Sequence, residues 1–229
     1  MKPDRYLYII LVICPYLTLA QIKQDIIVPN KIRIQNIKCF QKNKHCTKEQ
    51  DYPRITYLKN RLIEKRINNK ILKAFNIKDF KALVNQPDCR VEDQISYHIS
   101  TFKEKILSIE MGQHFLGKGA AHSYNSMSTL NFNLYTGNII PGKSIFKNDS
   151  AATAVKDIIL IKAKKQLDSL NASGLLAEVS ESIDQWVYSV NSKGFIFYAN
   201  TSDGGLQYIE IPISHSEIKY LVKEDFYKL

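Results

Sequence analysis

Two histidines and one glutamate lie close enough together in the sequence to suggest a metal centre. Glu110 and His114 are four residues apart, and His122 follows after the step Gly117-Lys118-Gly119. Imidazoles and a carboxylate are ligands that catalytic zinc sites use, with water in the fourth position. Glu110, His114 and His122 are therefore the candidates for a metal-dependent reaction.

The same step also has a structural interpretation, which the sequence favours. Gly117 and Gly119 would let the backbone pass close to another element, with a positive φ at one of them. His122 stands where a strand begins, and an imidazole there can hydrogen-bond a neighbouring backbone group and fix the corner. On this interpretation these residues serve the fold, and no metal or cofactor is expected.

Other catalytic motifs are missing from the sequence. No G-x-S-x-G pattern surrounds Ser123, Ser126 or Ser128, so a nucleophile elbow is excluded. No phosphate-binding loop and no aromatic-basic motif of a nucleic-acid reader occurs, so nucleic acid is not an expected partner. Three further carboxylates are predicted to lie on a solvated loop: Glu178, Glu181 and Asp184.

Residues 1–20 have the pattern of a secretory signal peptide. Lys2 and Arg5 precede the apolar run Tyr6–Leu19, and Ala20 completes a cleavage pattern of small residues. The run is shorter than the roughly 20 apolar residues that a membrane span needs, so no stable span is expected after cleavage. We expect the mature chain to be periplasmic or secreted.

The chain is basic, with a formal net charge of +10 over 229 residues. An exported basic protein suits anionic neighbours such as cell-wall polymers, membrane surfaces and acidic proteins. Lysine-rich faces that keep the protein soluble are the simpler explanation. Hydrophobic residues make up 45% of the chain, which is enough to bury a core.

Export changes the interpretation of the cysteines. In an oxidising compartment Cys39 and Cys46 are expected to form a disulfide loop within the basic N-terminal segment, residues 21–50. Cys89 would then be free, unless the cysteines pair in a different connectivity. The more specific alternative is a zinc site formed by the three cysteines and His45, although no C-x-x-C spacing occurs.

Periodicity predicts an α+β fold in which helices pack on one face of an antiparallel sheet, divided into two small subdomains. Apolar residues at helical spacing predict a helix over residues 57–75, whose lysine-rich side is expected to face water rather than a membrane. Asn148 is the expected cap of a helix reaching about residue 171, and Ser214 and Glu217 form a capping box. Strands are predicted near residues 95–102, 105–111, 127–135, 186–190, 195–199 and 206–211.

The C-terminal half resembles the RsiV-type extracellular domain, domain of unknown function 3298 (DUF3298). The resemblance lies in the step from Gly117 through Gly119 to His122, the strand and turn ending at Gly137, the tryptophan Trp186, and the ending from Gly194 to Val222. Residues 113–229 correspond to this RsiV-like α+β domain. Residues 51–112, with the segment "YPRITYLKNRLIEKRINNKIL", resemble the small α+β domain that precedes it in PdaC-like proteins.

The resemblance implies an exported domain that faces the cell wall. In the RsiV branch the domain binds lysozyme, and in PdaC it accompanies a separate deacetylase. This chain departs from the family at Asn133, where an acidic residue is usual, and at "NTSDGGLQ", where a tyrosine- and proline-rich segment is usual. Animal lysozymes are basic, as this chain is, and like charges slow encounter and reduce affinity.

These observations favour a non-enzymatic binding module of the bacterial cell envelope. Its partner would be a protein, such as a muramidase that it inhibits or senses, or a cell-wall glycan. The first alternative is a peptidoglycan-directed hydrolase with a metal site at His114, His122 and Glu110. The second is a secreted effector or surface antigen.

Export with cleavage makes the first testable prediction. When the full chain is expressed with its own N-terminus in a secreting host, the exported protein should begin at Gln21, because the small residues that end at Ala20 mark the cleavage position. Intact mass spectrometry of the exported fraction measures this. An unprocessed chain retained in the cell interior would contradict the prediction.

Overall fold

The computed structural model of the chain describes residues 26–27, 32–42, 46–76, 91–103, 105–117, 119–202 and 207–226. It confirms the α+β fold class. The predicted signal segment, His45 and Cys89 lie outside the described residues. Among the described residues no helix is both long and apolar enough to cross a membrane.

Two sheets account for the strands of the described residues. The large sheet has the order β1 to β6, with bounds Ile26–Ile27, Arg33–Lys42, Thr47–Thr56, Val91–Lys103, Ile106–Gly117 and Tyr124–Asn133. The small sheet is the antiparallel meander β7 to β9, with bounds Tyr188–Val190, Gly194–Asn200 and Tyr208–Ser214. The α-helices are α1 to α4, with bounds Arg61–Ala74, Asp149–Ser169, Leu176–Ile183 and His215–Ile218.

The large sheet is mixed, so the expectation of an antiparallel sheet is wrong at one place. Strands β3 and β4 are parallel, with Thr47 opposite Glu92 and Gln50 opposite Ile95. All other neighbours in the sheet are antiparallel. Helix α1 lies between β3 and β4 in sequence, because parallel neighbours need a long crossover rather than a hairpin.

Buried apolar side chains form two clusters. In the first, α1 covers one face of the large sheet, with these buried residues: Ile34, Ile55, Leu58, Ile67, Ile71, Phe75, Ile95, Leu107, Ile109, Leu130, Phe132 and Leu134. In the second, α2 and α3 cover the small sheet, and Phe195, Phe197 and Ala199 of β8 belong to it. The chain therefore passes from the first cluster to the second after Leu134. Residue 112 does not separate the two clusters, because β4, β5 and β6 form one continuous meander across it.

Local helix signals agree with the structure, with one exception. The Asn148 side chain accepts from the Ala151 amide at the start of α2, and the capping box at Ser214 and Glu217 is present. Hydrogen bonds to Glu217 from Lys162 and from the Ser214 backbone lower its pKa to about 2. The loop predicted around Glu178 is wrong, since α3 occupies Leu176–Ile183 and buries Val179 and Ile183.

The expected bond between Cys39 and Cys46 is also wrong. The antiparallel register places Cys39 opposite Gln50, which lies four residues after Cys46, the residue just before β3. Four strand residues span about 13 Å, and bridged cysteines need Cα atoms within about 7 Å. Cys46 is nevertheless disulfide-bonded and buried. Cys39 lies beside Tyr52, whose pKa rises to about 12 through burial first and the neighbouring thiol second.

We expect Cys46 to be linked to Cys89. The strand register excludes Cys39, and Cys14 lies in the segment predicted to be removed. Cys89 comes just before β4 in the sequence, and β4 begins beside Thr47, the residue that follows Cys46. Digestion without reductant should give one linked pair of peptides that contain Cys46 and Cys89. The Cys39 peptide is the internal control and should be alkylated without reduction. A Cys39–Cys46 link would contradict the register.

Candidate ligand-binding cleft

The outer edge of β6 is covered by side-chain amides from the small sheet. The Asn200 amide accepts from the Met127 N–H at 3.0 Å and donates to the Met127 carbonyl at 3.2 Å. Gln207 makes the equivalent pair with the Asn125 N–H and the Ser123 carbonyl. Each amide side chain thus bonds β6 as a neighbouring strand would, and this fixes the small sheet beside it.

A buried polar network makes a second connection between the sheets. The Ser108 hydroxyl donates to Asn131 Oδ1 at 2.6 Å, and Asn131 Nδ2 donates to the Tyr188 carbonyl at 2.6 Å. The Val190 N–H in turn donates to Ser108 Oγ at 3.1 Å. Ser108 and Asn131 are both buried. Because every step has a donor and an acceptor, the network holds the small sheet against the face of β5 and β6.

An open cleft of about 380 Å³ lies next to this junction. Consecutive residues of β4, β5 and β6 line it, together with two residues of β3 and one of β9: Glu49, Asp51, Gln94, Ile95, Ser96, Gly112, Gln113, His114, Asn125, Ser126, Met127 and Tyr208. Gly112 and His114 alternate with Met111 and Gln113 along β5. Since Leu107 and Ile109 face α1, the side chain of His114 points to the opposite face of the sheet.

Gly112 keeps the middle of the cleft open. A Cβ atom built on Gly112 would lie 3.6 Å from Ser96 Oγ and 3.9 Å from Met127 Cε, which are ordinary contact distances. The backbone therefore does not require glycine at this position. The absence of a side chain leaves the space in the cleft, and a larger residue could occupy it without disturbing the strands.

Two carboxylates lie on β3 at the side of the cleft. Glu49 and Asp51 are two residues apart, so their side chains share one face of the strand. Lys38 pairs with Glu49, and this hydrogen bond raises the pKa of the lysine. Asp51 Oδ1 is buried and has no hydrogen-bond partner among the described residues. Burial first, and Asp51 second, raise the pKa of Tyr97 to about 12.

His114 and Asn125 form a polar pair across β5 and β6. The ring nitrogen Nδ1 of His114 lies 2.6 Å from Asn125 Oδ1. An amide oxygen can only accept, so the imidazole donates through Nδ1 and has Nε2 as its second polar atom. Behind the cleft, Gln113 donates to Asp93, which forms a buried ion pair with Lys48 at 3.1 Å.

The three metal candidates are not brought together. Glu110 and His114 lie four positions apart on β5, a distance of about 13 Å along a strand, and Glu110 lies opposite His98. His122 is exposed in the bend before β6 and makes no hydrogen bond to a described residue, so it does not fix the corner. No group of three His, Cys, Asp or Glu residues in the described ranges is placed to hold a metal ion.

The motif glycines and the tryptophan have structural positions. Gly119 has the expected positive φ of 85°, but a Cβ atom there would meet nothing within 4 Å, and the nearest atoms to one on Gly117 are at 3.9 Å. The predicted close passage is therefore wrong. Gly137, with φ of 69°, lies against Ile63 of α1. Trp186 is buried, with its ring centroid 4.8 Å from that of Phe146.

The departure from the family pattern at Asn133 has a local explanation. Asn133 Oδ1 accepts from the Tyr135 N–H at 2.9 Å and the Thr136 N–H at 3.0 Å. This closes the turn after β6. An aspartate can make the same side-chain turn, so asparagine preserves the geometry and removes the charge.

Solved structures of DUF3298 family proteins share this fold. A DUF3298 family protein from Bacteroides fragilis superposes with a TM-score of 0.63 at 12% sequence identity, covering 85% of this chain and 94% of that chain. A DUF3298 family protein from Pseudomonas aeruginosa superposes with a TM-score of 0.60 at 7% identity, covering 87% and 97%. No family model and no curated protein matches the sequence. At these identities the likeness concerns the fold.

Sequence reasoning identified His114 but missed the rest of the cleft. Polar residues at alternate positions of β4, Gln94 and Ser96, were a usable signal for a sheet face that is not buried in a core. Nothing local connects them with Asp51 or Tyr208, because those residues reach the cleft through strand order and sheet packing.

The amide that covers β6 gives a stability prediction. Asn200→Ala should lower the free energy of unfolding by about 1–3 kcal/mol, because the N–H and C=O of Met127 lose their partner in a part-buried position. Chemical denaturation followed by circular dichroism measures this. Asn69→Ala, at an exposed position of α1, is the matched control and should change stability by less than about 0.5 kcal/mol. Equal effects of the two substitutions would contradict the proposed role of Asn200.

Proposed function

We propose that the chain is an exported, non-enzymatic binding module of the bacterial cell envelope, with a domain of the DUF3298 type. The proposed activity is to hold a polar partner, a protein or a cell-wall glycan, in the cleft between β3, β6 and β9. The cleft is the observation that carries the proposal. The shared fold with two DUF3298 proteins and the signal pattern of residues 1–20 support the family and the location.

The lining of the cleft suits a ligand rich in hydroxyl or amino groups. Gln94, Ser96 and Asn125 carry both donors and acceptors, and the Asp51 carboxylate lies beside them, its buried Oδ1 having no hydrogen-bond partner among the described residues. Tyr208 adds an aromatic ring at the β9 side. A few well-placed polar groups in a concave site of this size are typical of specific ligand sites.

The carboxylates of the cleft also bear on the charge of the partner. The chain carries a net charge of +10, yet this side of the cleft holds two carboxylates, Glu49 and Asp51, against one lysine, Lys38, which pairs with Glu49. A basic partner, such as a muramidase, would meet these carboxylates if it entered by the cleft. Local complementarity of this kind favours one docking orientation over the others.

A hydrolase is the second candidate, because Glu49 and Asp51 are two carboxylates on one strand face of an open cleft. Glycoside hydrolysis requires a carboxylate pair that flanks the scissile bond. This version replaces the metal-dependent hydrolase of His114, His122 and Glu110, whose residues are separated. Release of reducing sugar from peptidoglycan distinguishes it from binding.

Filling the cleft tests the proposal. Gly112→Leu should place a side chain in the cleft and weaken binding at least about tenfold, since a buried ligand cannot share that space. Binding of the exported protein to soluble peptidoglycan fragments, and to a chicken-type lysozyme, is measured by titration calorimetry. Gly174→Leu is the matched control, because a Cβ atom there meets nothing within 4 Å. This control should bind as the parent chain does.

Three results would contradict the proposal. The first is that the parent chain binds neither probe. The second is that Gly112→Leu binds as tightly as Gly174→Leu, and the third is that the protein cleaves the glycan. Thermal unfolding of both variants is measured alongside. A normal unfolding temperature shows that a loss of affinity comes from the blocked cleft.

A further inference from the structure

We propose that the outer face of helix α1 docks on an anionic lipid bilayer. The surface is defined by Tyr57, Leu62, Lys65, Arg66 and Lys73, and is called here the basic crest. It lies outside the cleft and does not depend on the proposed function. The occupant is a bilayer surface that carries phosphate headgroups.

The geometry of α1 produces the basic crest. Ile67, Ile71 and Phe75 are fully buried against the sheet, so the opposite side of the helix faces solvent. At 100° per residue, Leu62 is directly opposite Ile71. Leu62 is 76% exposed, so it presents apolar surface between the basic side chains of this side of the helix.

Charge is concentrated around this leucine. Residues 59–73 contain six basic residues and one acidic residue, Glu64. Glu64 is turned towards the protein, where it accepts from the Leu58 N–H at 2.9 Å and pairs with Arg61. Lys65 and Lys73 are exposed and form no ion pair with a described residue. The crest therefore presents positive charge that the described chain does not neutralise.

The turn after β6 holds part of the crest in place. Arg66 donates to the Thr136 carbonyl at 2.7 Å, and Lys70 donates to the Gly137 carbonyl at 3.1 Å. Their stems, with Leu62, Lys65 and Asn69, line a shallow recess of about 370 Å³. Positive groups around an apolar recess match a phosphate headgroup above its acyl chain.

Exposed apolar groups on this surface favour a bilayer over a soluble polyanion as the partner. Tyr57 is 52% exposed, and the guanidinium groups of Arg33 and Arg61 lie 5.4 Å and 5.9 Å from its ring centroid. Tyrosine beside basic residues is characteristic of membrane interfaces. A soluble polyanion would gain nothing from Leu62 or Tyr57, whereas a bilayer accepts both.

Docking by the basic crest would orient the cleft. Helix α1 covers the face of the sheet that contains Leu107 and Ile109, while His114 in the cleft points from the other face. A molecule held on a membrane through α1 would therefore direct its cleft away from that membrane.

Vesicle sedimentation tests the proposal. The exported protein should bind phosphatidylcholine vesicles that contain phosphatidylglycerol, and not phosphatidylcholine alone. Lys65→Glu with Lys73→Glu should reduce partitioning at least about tenfold, since each basic residue near an anionic surface contributes several-fold. The matched control is Lys165→Glu with Lys193→Glu. It makes the same change in net charge at exposed residues of α2 and of the turn before β8, and it should reduce partitioning far less.

Leu62→Gln tests the apolar contribution without changing charge, and should reduce partitioning about threefold or more. Four outcomes overturn the proposal: no binding to anionic vesicles, equal loss in both charge-reversal pairs, no loss with Lys65→Glu and Lys73→Glu, or unchanged binding by Leu62→Gln. Circular dichroism of each variant verifies the fold. The cleft titrations are separate, so either proposal can fail without the other.

Discussion

The backbone edge of β6 is the constraint on which the arrangement of the two sheets depends. An edge strand presents unpaired N–H and C=O groups, which invite pairing with another chain. Here the amides of Asn200 and Gln207 bond three residues of that edge, and Ile140 bonds the Asn131 carbonyl farther along. Satisfying this edge requires the small sheet to lie in one position.

The cleft follows from that position. Tyr208 reaches the cleft because β9 begins beside the start of β6. The Asn125 N–H donates to Gln207, while the Asn125 side chain contacts His114. On the other side, Asp51 reaches the cleft because β3 is parallel to β4. Residues from three distant parts of the chain therefore share one site.

The sequence alone predicts those elements that are determined by residues close together in the chain. Asn148 caps α2 through its own side chain, and Ser214 and Glu217 complete a box within four residues, so the sequence predicts both. Nonlocal features were out of reach. The parallel partner of β3 depends on the crossover through α1, and the pairing of Cys46 depends on the register that places Cys39 opposite Gln50.

The parallel pair has a kinetic consequence. The β2–β3 hairpin and the β4–β5–β6 meander each close through contacts between residues near in sequence, which form quickly. Thr47 and Glu92 join only after the chain around α1 has been brought back, which costs loop entropy before any contact compensates for it. Folding is thus expected to build two separate pieces first and to join them slowly at this seam.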